Sequence, residues 1–188
     1  LVAGHIATYD EDKEPSIYVR INSVDSGLVD GDLDQVLVKG LDGIVLPKIS
    51  NSQEVIQIID KIEMIVSKRS ISARIRIIPS IETAKGVINA NSIASAHENV
   101  VALVFGVFDY LYDMNIDVEY DDHLSYNYAR SKIPVDAKAA GIEAMDGIWQ
   151  EVNDLDGLIK DATNAKKLGY SGKTLIHPLH INPVHDIF

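Results

Sequence analysis

The sequence predicts an α/β protein built on a parallel sheet covered by helices. Three observations carry that expectation. Six short runs rich in Val, Ile and Leu alternate with segments whose apolar residues recur every three or four positions, and such alternation is the mark of βαβ units. No Gly-rich phosphate loop follows the first run, which weakens the nucleotide-binding version of the architecture. Polar side chains also fall one after another at the carboxyl ends of the runs, the place where parallel barrels build their sites.

Taken in order, residues 1–6 read as the middle of a helix, because no start signal precedes them. Residues 17–22 (IYVRIN) are a β-branched strand, and the Asp30–Gly31–Asp32–Leu33 stretch enters a short helix. Residues 43–48 (GIVLPK) form a continuous apolar run ending at Pro, suited to a buried strand. Ser50, Asn51 and Ser52 offer helix caps, and Val55, Ile58, Ile59, Ile62 and Val66 follow as an apolar stripe. Residues 75–82 (IRIIPSIE) make the third strand, residues 83–96 a helix, and residues 100–106 (VVALVFG) the fourth strand. The pattern is helical over 121–140, with Asp121 and Asp122 at a solvated start, Pro134 as a kink point and Gly141 as a stop. Residues 142–146 are a short strand, Asp154 caps a helix that ends at Gly169, and residues 173–177 (KTLIH) are the last strand.

Two architectures answer to this order, the open doubly wound sheet and the eight-stranded barrel. Six strands are too few to close the usual barrel. Either the sheet is open, or part of the protein lies outside this chain. With no low-complexity segment and no linker, the 188 residues read as one domain, 1–188.

Composition narrows the chemistry. The chain is 46% hydrophobic and 24% charged, and no apolar run nears the roughly 20 residues that span a bilayer. It reads as soluble and without a membrane partner. The absence of cysteine removes disulfides and thiolate ligands, so oxygen or imidazole must hold any metal, and it fits a cytoplasmic enzyme. A net charge of −11 argues against nucleic acid as a partner. An anionic substrate must then be met locally, by a metal or by a few placed cations.

The strand-end residues are Arg20 and Asn22, Lys48, Glu82, Asp109, Asp146 and His177. Glu82 and Asp109 follow consecutive strands and are hard oxygen ligands of the kind magnesium takes one or two at a time. Glu82 alone reads equally as a carboxylate at a helix N-terminus. Arg20 has the forked geometry that clamps a carboxylate, or it forms an ion pair with a neighbouring acid. The Gly106–Val107 turn offers backbone N–H groups to an anion. The six histidines show no metal-binding spacing, and His177 reads as structural rather than as a base. Trp149, Tyr110 and Tyr126 read as packing or cleft residues.

Several segments, in this order, resemble the citrate lyase beta-subunit group of the HpcH/HpaI aldolase superfamily. They are YVRIN (18–22), GLDGIVLPK (40–48), IPSIETAKGVINA (78–90), ALVFGVFD (102–109), YARS (128–131), GIEAMD (141–146) and LGYSGKTLIHPLHINPVHDIF (168–188). The resemblance implies a (β/α)8 TIM barrel of which this chain lacks the first two strands and the C-terminal helical arm. It implies a catalytic set of Arg20, Glu82 and Asp109, with Glu82 and Asp109 on Mg2+ and Arg20 on the oxo-acid. Lys48, Gly106, Val107 and Phe108 then fall on the substrate side, and His177 and Pro178 are the candidate contacts to the cofactor. Phe108 departs from the family, which commonly has a glutamate before the metal aspartate.

The implied reaction is carbon–carbon cleavage of a 3-hydroxy-acid thioester of the citryl type into an oxo-acid and an acetyl thioester. Coenzyme A or an acyl-carrier protein would hold the thioester. The alternatives are a malyl-CoA or citramalyl-CoA lyase and, in another class, a barrel that binds oxo-acid without turnover. Implied partners are citrate lyase alpha and acyl-carrier subunits, and further copies of the chain in a trimer or hexamer.

Overall fold

A computed structural model of the chain describes residues 15–71, 74–117 and 124–188. The helix expected over residues 1–6 and the helix start expected at Asp121 and Asp122 lie outside the described residues. Among the described residues six strands form one sheet: β1 (Tyr18–Arg20), β2 (Gly43–Leu46), β3 (Arg76–Ile81), β4 (Ala102–Phe105), β5 (Glu143–Asp146) and β6 (Gly172–Lys173). Their order in space is their order in the chain, and each is parallel to the next. A doubly wound sheet reverses at a switch point. This one has none and is wound as a barrel is, a six-stranded parallel half-barrel.

The pleat separates two faces. Ile44, Ile77, Leu103 and Ala144 are buried on one side, beneath the helices. On the other side Val45, Ile78, Val104 and Met145 are only half-buried. Strand register aligns Arg20 with Val45 and Ile78, and Ser80 with Val104 and Met145, so these residues share the less covered, inner face.

The helices form where the sequence signals them. Helix α1 (Val29–Val36) buries Val29 and Leu33. Helix α2 (Ser52–Lys68) is capped by Asn51, whose side chain accepts from the Glu54 N–H, while Glu54 reaches back to the Ser50 N–H at 2.8 Å. Val55, Ile58, Ile59 and Ile62 form its buried stripe, each worth about 1.5–3 kcal/mol over an exposed side chain, and Val66 lies half-buried at its end. Helix α6 (Leu124–Ala139) carries Pro134 inside it without ending there, and Gly141 follows with φ 77°. Helix α7 (Leu155–Leu168) starts on the Asp154 cap and stops at Gly169, φ 103°.

Two expectations change. Residues 83–96 form two short helices, α3 (Ala84–Ile88) and α4 (Ala90–Ala94), rather than one. The break falls at Asn89, whose side-chain amide donates to the Ser50 carbonyl at 2.8 Å. The last strand is also shorter than the sequence suggests, Gly172–Lys173 in place of 173–177. Its only partner among the described residues, β5, ends at Asp146 opposite Lys173. Beyond that point Thr174 turns both its N–H and its hydroxyl onto the Asp146 carbonyl. The chain then enters a 3-10 turn (Pro178–His180) and helix α8 (Ile181–His185), which pattern reading missed. It also missed α5 (Val107–Asp113), directly after β4.

Candidate active site

Four charged side chains converge from four consecutive strand ends. Arg20 closes β1, Lys48 follows β2, Glu82 follows β3, and Asp109 lies in the first turn of α5 behind β4. Arg20 Nη2 stands 3.4 Å from Glu82 Oε1, and Lys48 Nζ stands 2.9 Å from Asp109 Oδ1. Two cations thus meet two carboxylates.

Glu82 is 3% exposed, and its Oε2 is buried without a hydrogen-bond partner. An orphaned carboxylate oxygen is costly, so it marks a place where something else is bound or a proton is kept. Burial pushes the Glu82 carboxyl above its ordinary value, with the Ser80 hydroxyl and Arg20 opposing in smaller part. The room for this side chain comes from Gly106. A Cβ there would lie 2.4 Å from Glu82 Cγ, closer than atoms pack. Gly106→Ala is therefore expected to displace the Glu82 carboxyl and to cost about 1–3 kcal/mol as overpacking. A urea melt checks this, and an unchanged midpoint would contradict the assigned contact.

Asp109, unlike Glu82, is well exposed, and so is Lys48, with side chains 43% and 49% accessible. Asp109 holds the Lys48 ammonium above its ordinary pKa. Lys48 also has a positive φ of 57°, a conformation that costs a non-glycine residue about 1–3 kcal/mol. The turn that carries it is fastened on several sides. Ile49 N–H donates to the Ser80 carbonyl, and the Ser50 hydroxyl meets the Thr83 hydroxyl at 3.1 Å. Glu54 and Asn89 hold the two backbone groups of Ser50. The segment behind Glu82 is tied to α5 in turn, since Ala84 N–H donates to Asp113 Oδ2 at 2.8 Å.

Two hard carboxylates, one of them with an unmet buried oxygen, suit a magnesium ion, which commonly takes one or two carboxylates and keeps water or substrate elsewhere. Among the described residues no set of three or more His, Asp or Glu gathers in a way that could hold a metal. The residues fit an ion that shares its sphere with substrate.

The other strand-end residues go elsewhere. Asn22 donates from its backbone and its side chain to Asp32. His177 is exposed and caps the 3-10 turn, its Nδ1 accepting from the Leu179 N–H at 3.2 Å, with Pro178 first in that turn. Gly106 N–H is taken by the Ile81 carbonyl, and Val107 is buried. Phe108 faces a cavity of about 190 Å³ shared with Phe105, Tyr126 and Trp149. Tyr110 and Tyr126 pack on Phe105.

Asp146 turns to the helix side and meets partners that no sequence pattern marks. Arg130 grips it from Nε at 3.0 Å and Nη2 at 2.7 Å, and Lys173 Nζ lies 2.7 Å away. Asp161 completes the set, 2.6 Å from Lys173 and 2.8 Å from Arg130. Burial pushes Asp161 up, yet Lys173 and Arg130 together hold it below the usual carboxylate range. Burial likewise opposes the Arg130 charge, but Asp146 and Asp161 hold it above its ordinary value. The available signal was slight: Arg130 stands beside Ala129 on the buried side of α6, and Lys173 sits inside a strand.

Among known proteins, the profile of the HpcH/HpaI aldolase/citrate lyase family matches residues 2–178. Citrate lyase subunit beta of Haemophilus influenzae is 30% identical over 191 residues, covering 100% of this chain and 65% of that protein. Mitochondrial citramalyl-CoA lyase of Rattus norvegicus is 32% identical over 180 residues, 90% of this chain and 53% of that one. The chain spans between half and two thirds of the length of these curated relatives. Of solved structures, RipC from Yersinia pestis superposes with a TM-score of 0.78 at 26% identity, over 92% of this chain and 76% of the other. Mycobacterium tuberculosis CitE, in complex with magnesium, acetoacetate and coenzyme A, gives 0.75 at 25% identity, over 90% and 60%.

Proposed function

This chain belongs to the HpcH/HpaI aldolase/citrate lyase family, and from that premise we propose that it is a magnesium-dependent carbon–carbon lyase acting on a 3-hydroxy-acid thioester. The observation that carries the reading is the buried, unpartnered Oε2 of Glu82 beside Asp109 and Arg20. Glu82 and Asp109 would hold the metal. When bound, magnesium lowers the pKa of the substrate hydroxyl and offsets charge on its oxygens.

Arg20, whose side chain is more than half exposed and meets Glu82 through a single nitrogen at 3.4 Å, can close on the carboxylate of the oxo-acid part in a two-pronged way. Holding that group fixes the carbinol carbon over the inner face of the sheet. The hydroxyl proton passes to a base, the carbinol C–O becomes a carbonyl, and the electron pair of the broken C–C bond moves to the thioester α-carbon. Protonation of that enolate gives the acetyl thioester. Lys48, held as an ammonium by Asp109, is a cation near that charge.

A citryl thioester is the first substrate to try, giving oxaloacetate, and citramalyl-CoA is the second, because relatives bearing both names are similar to this chain to nearly the same degree. The intact protein, with magnesium, is expected to release an oxo-acid from one of these thioesters, read by a coupled dehydrogenase. Release from neither, nor from malyl-CoA, with oxo-acid binding retained, would favour the barrel that binds without turnover.

A further inference from the structure

Lys48 is given more structure than a bystander needs. Its backbone lies in the left-handed region, and the turn around it is fastened to α2, α3 and the sheet. A non-glycine residue kept in that region by its surroundings points to a site where its position matters. Its ion pair with Asp109 is nevertheless solvent-exposed on both sides. Exposed pairs of this kind contribute little and exchange readily. A fixed backbone thus carries a mobile ammonium on a four-carbon stem.

The charges around it explain the use. Arg20 and Lys48 balance Glu82 and Asp109. A divalent cation on the carboxylates leaves the four side chains plus the ion with a surplus of two positive charges. A dianionic oxo-acid, or a carboxylate with a developing enolate, removes that surplus. We propose that Lys48 serves two partners in turn. It holds Asp109 while the carboxylates carry no ion, and it turns to an anionic oxygen of the substrate once Asp109 is engaged. The inference rests on reading Glu82 and Asp109 as the metal pair. It makes the binding of cation and anion interdependent, with the ammonium as the link.

Calorimetry on the intact protein tests this with magnesium alone and with oxalate, an unreactive dianion, added to magnesium-loaded protein. The variant of choice is Lys48→Asn, because asparagine adopts a positive φ more easily than lysine and removes the charge without forcing the turn. It is expected to bind magnesium alone about fivefold more tightly and to bind oxalate on the loaded protein about tenfold more weakly. Lys48→Arg, which keeps the charge, is expected to recover part of the oxalate affinity. Oxalate binding unchanged in Lys48→Asn overturns the proposal, as does an equal loss of both affinities, which would make Lys48 a structural residue. A parent protein that binds no magnesium overturns the metal reading itself, an outcome separate from any difference between parent and variant.

Discussion

Glu82→Ala is expected to lower magnesium affinity by more than about 100-fold, beyond the loss typical of residues that only orient a metal ligand. Turnover should fall by at least about 1,000-fold, since the charge stabilisation a bound metal supplies is worth several kcal/mol and each 1.36 kcal/mol is tenfold in rate. The fold should survive. Glu82 is buried with one oxygen unmet, and burial already opposes its charge, so its removal relieves a desolvation cost rather than leaving one. The expected pattern is a protein as stable as its parent, with metal binding and activity gone. Magnesium titration beside a thermal melt reads both. A variant that binds magnesium as the parent does would remove the basis of the proposed mechanism, leaving the family relationship to describe the fold.

Asp146→Ala should do the opposite, with a large loss of stability and an effect on activity that follows from it. Asp146 accepts from Arg130 through two nitrogens and from Lys173, all deeply buried. Its loss leaves Asp161 alone against two buried cations. Breaking such a set by removing one member costs about 3–5 kcal/mol, because an uncompensated charge stays behind. Urea unfolding measures it, and a loss under about 1 kcal/mol would mean the set is not buried in solution. The same group gives a sign for acid. Asp161 is held below its ordinary value of 3.8, so its contribution to stability is complete above that value. The contribution is lost as the pH falls through the lower folded-state value. Acid unfolding of the parent should therefore be steep below the ordinary carboxylate range, and flatter in Asp161→Asn.

The strand sequence and the position of Glu82, Asp109, Arg20 and Lys48 were legible because each depends on a local signal. A β-branched run followed by a polar residue needs nothing from the rest of the chain to be recognised. The helix over Leu155–Leu168 was equally plain, since an Asp cap and a terminal Gly bound it. The misses share a cause. Residues 174–177 have strand-like side chains but no strand beyond β5 to pair with among the described residues, so propensity lost to the end of the ladder. Asn89 broke the expected helix because its amide serves Ser50, far away in sequence. The set of Arg130, Asp146, Asp161 and Lys173 was illegible because burial, not residue type, makes it what it is. Asp146 reads as a strand-end residue, but the alternation of β5 sends its side chain to the helix face.

The neighbour-to-neighbour order of the strands also bears on how the chain folds. Among the described residues no strand pairs past the one just before it in the chain, so each can dock on its predecessor in chain order, although every crossover between parallel strands carries a loop-closure cost. The step that adds β6 is the exception. Until Lys173 arrives with β6, two aspartates face a single arginine in a space closing around them. Final consolidation of α6, α7 and β5 must then wait for β6, a delay that pulsed amide exchange during refolding would read at Ser171 and Thr174, whose N–H groups join that strand to β5.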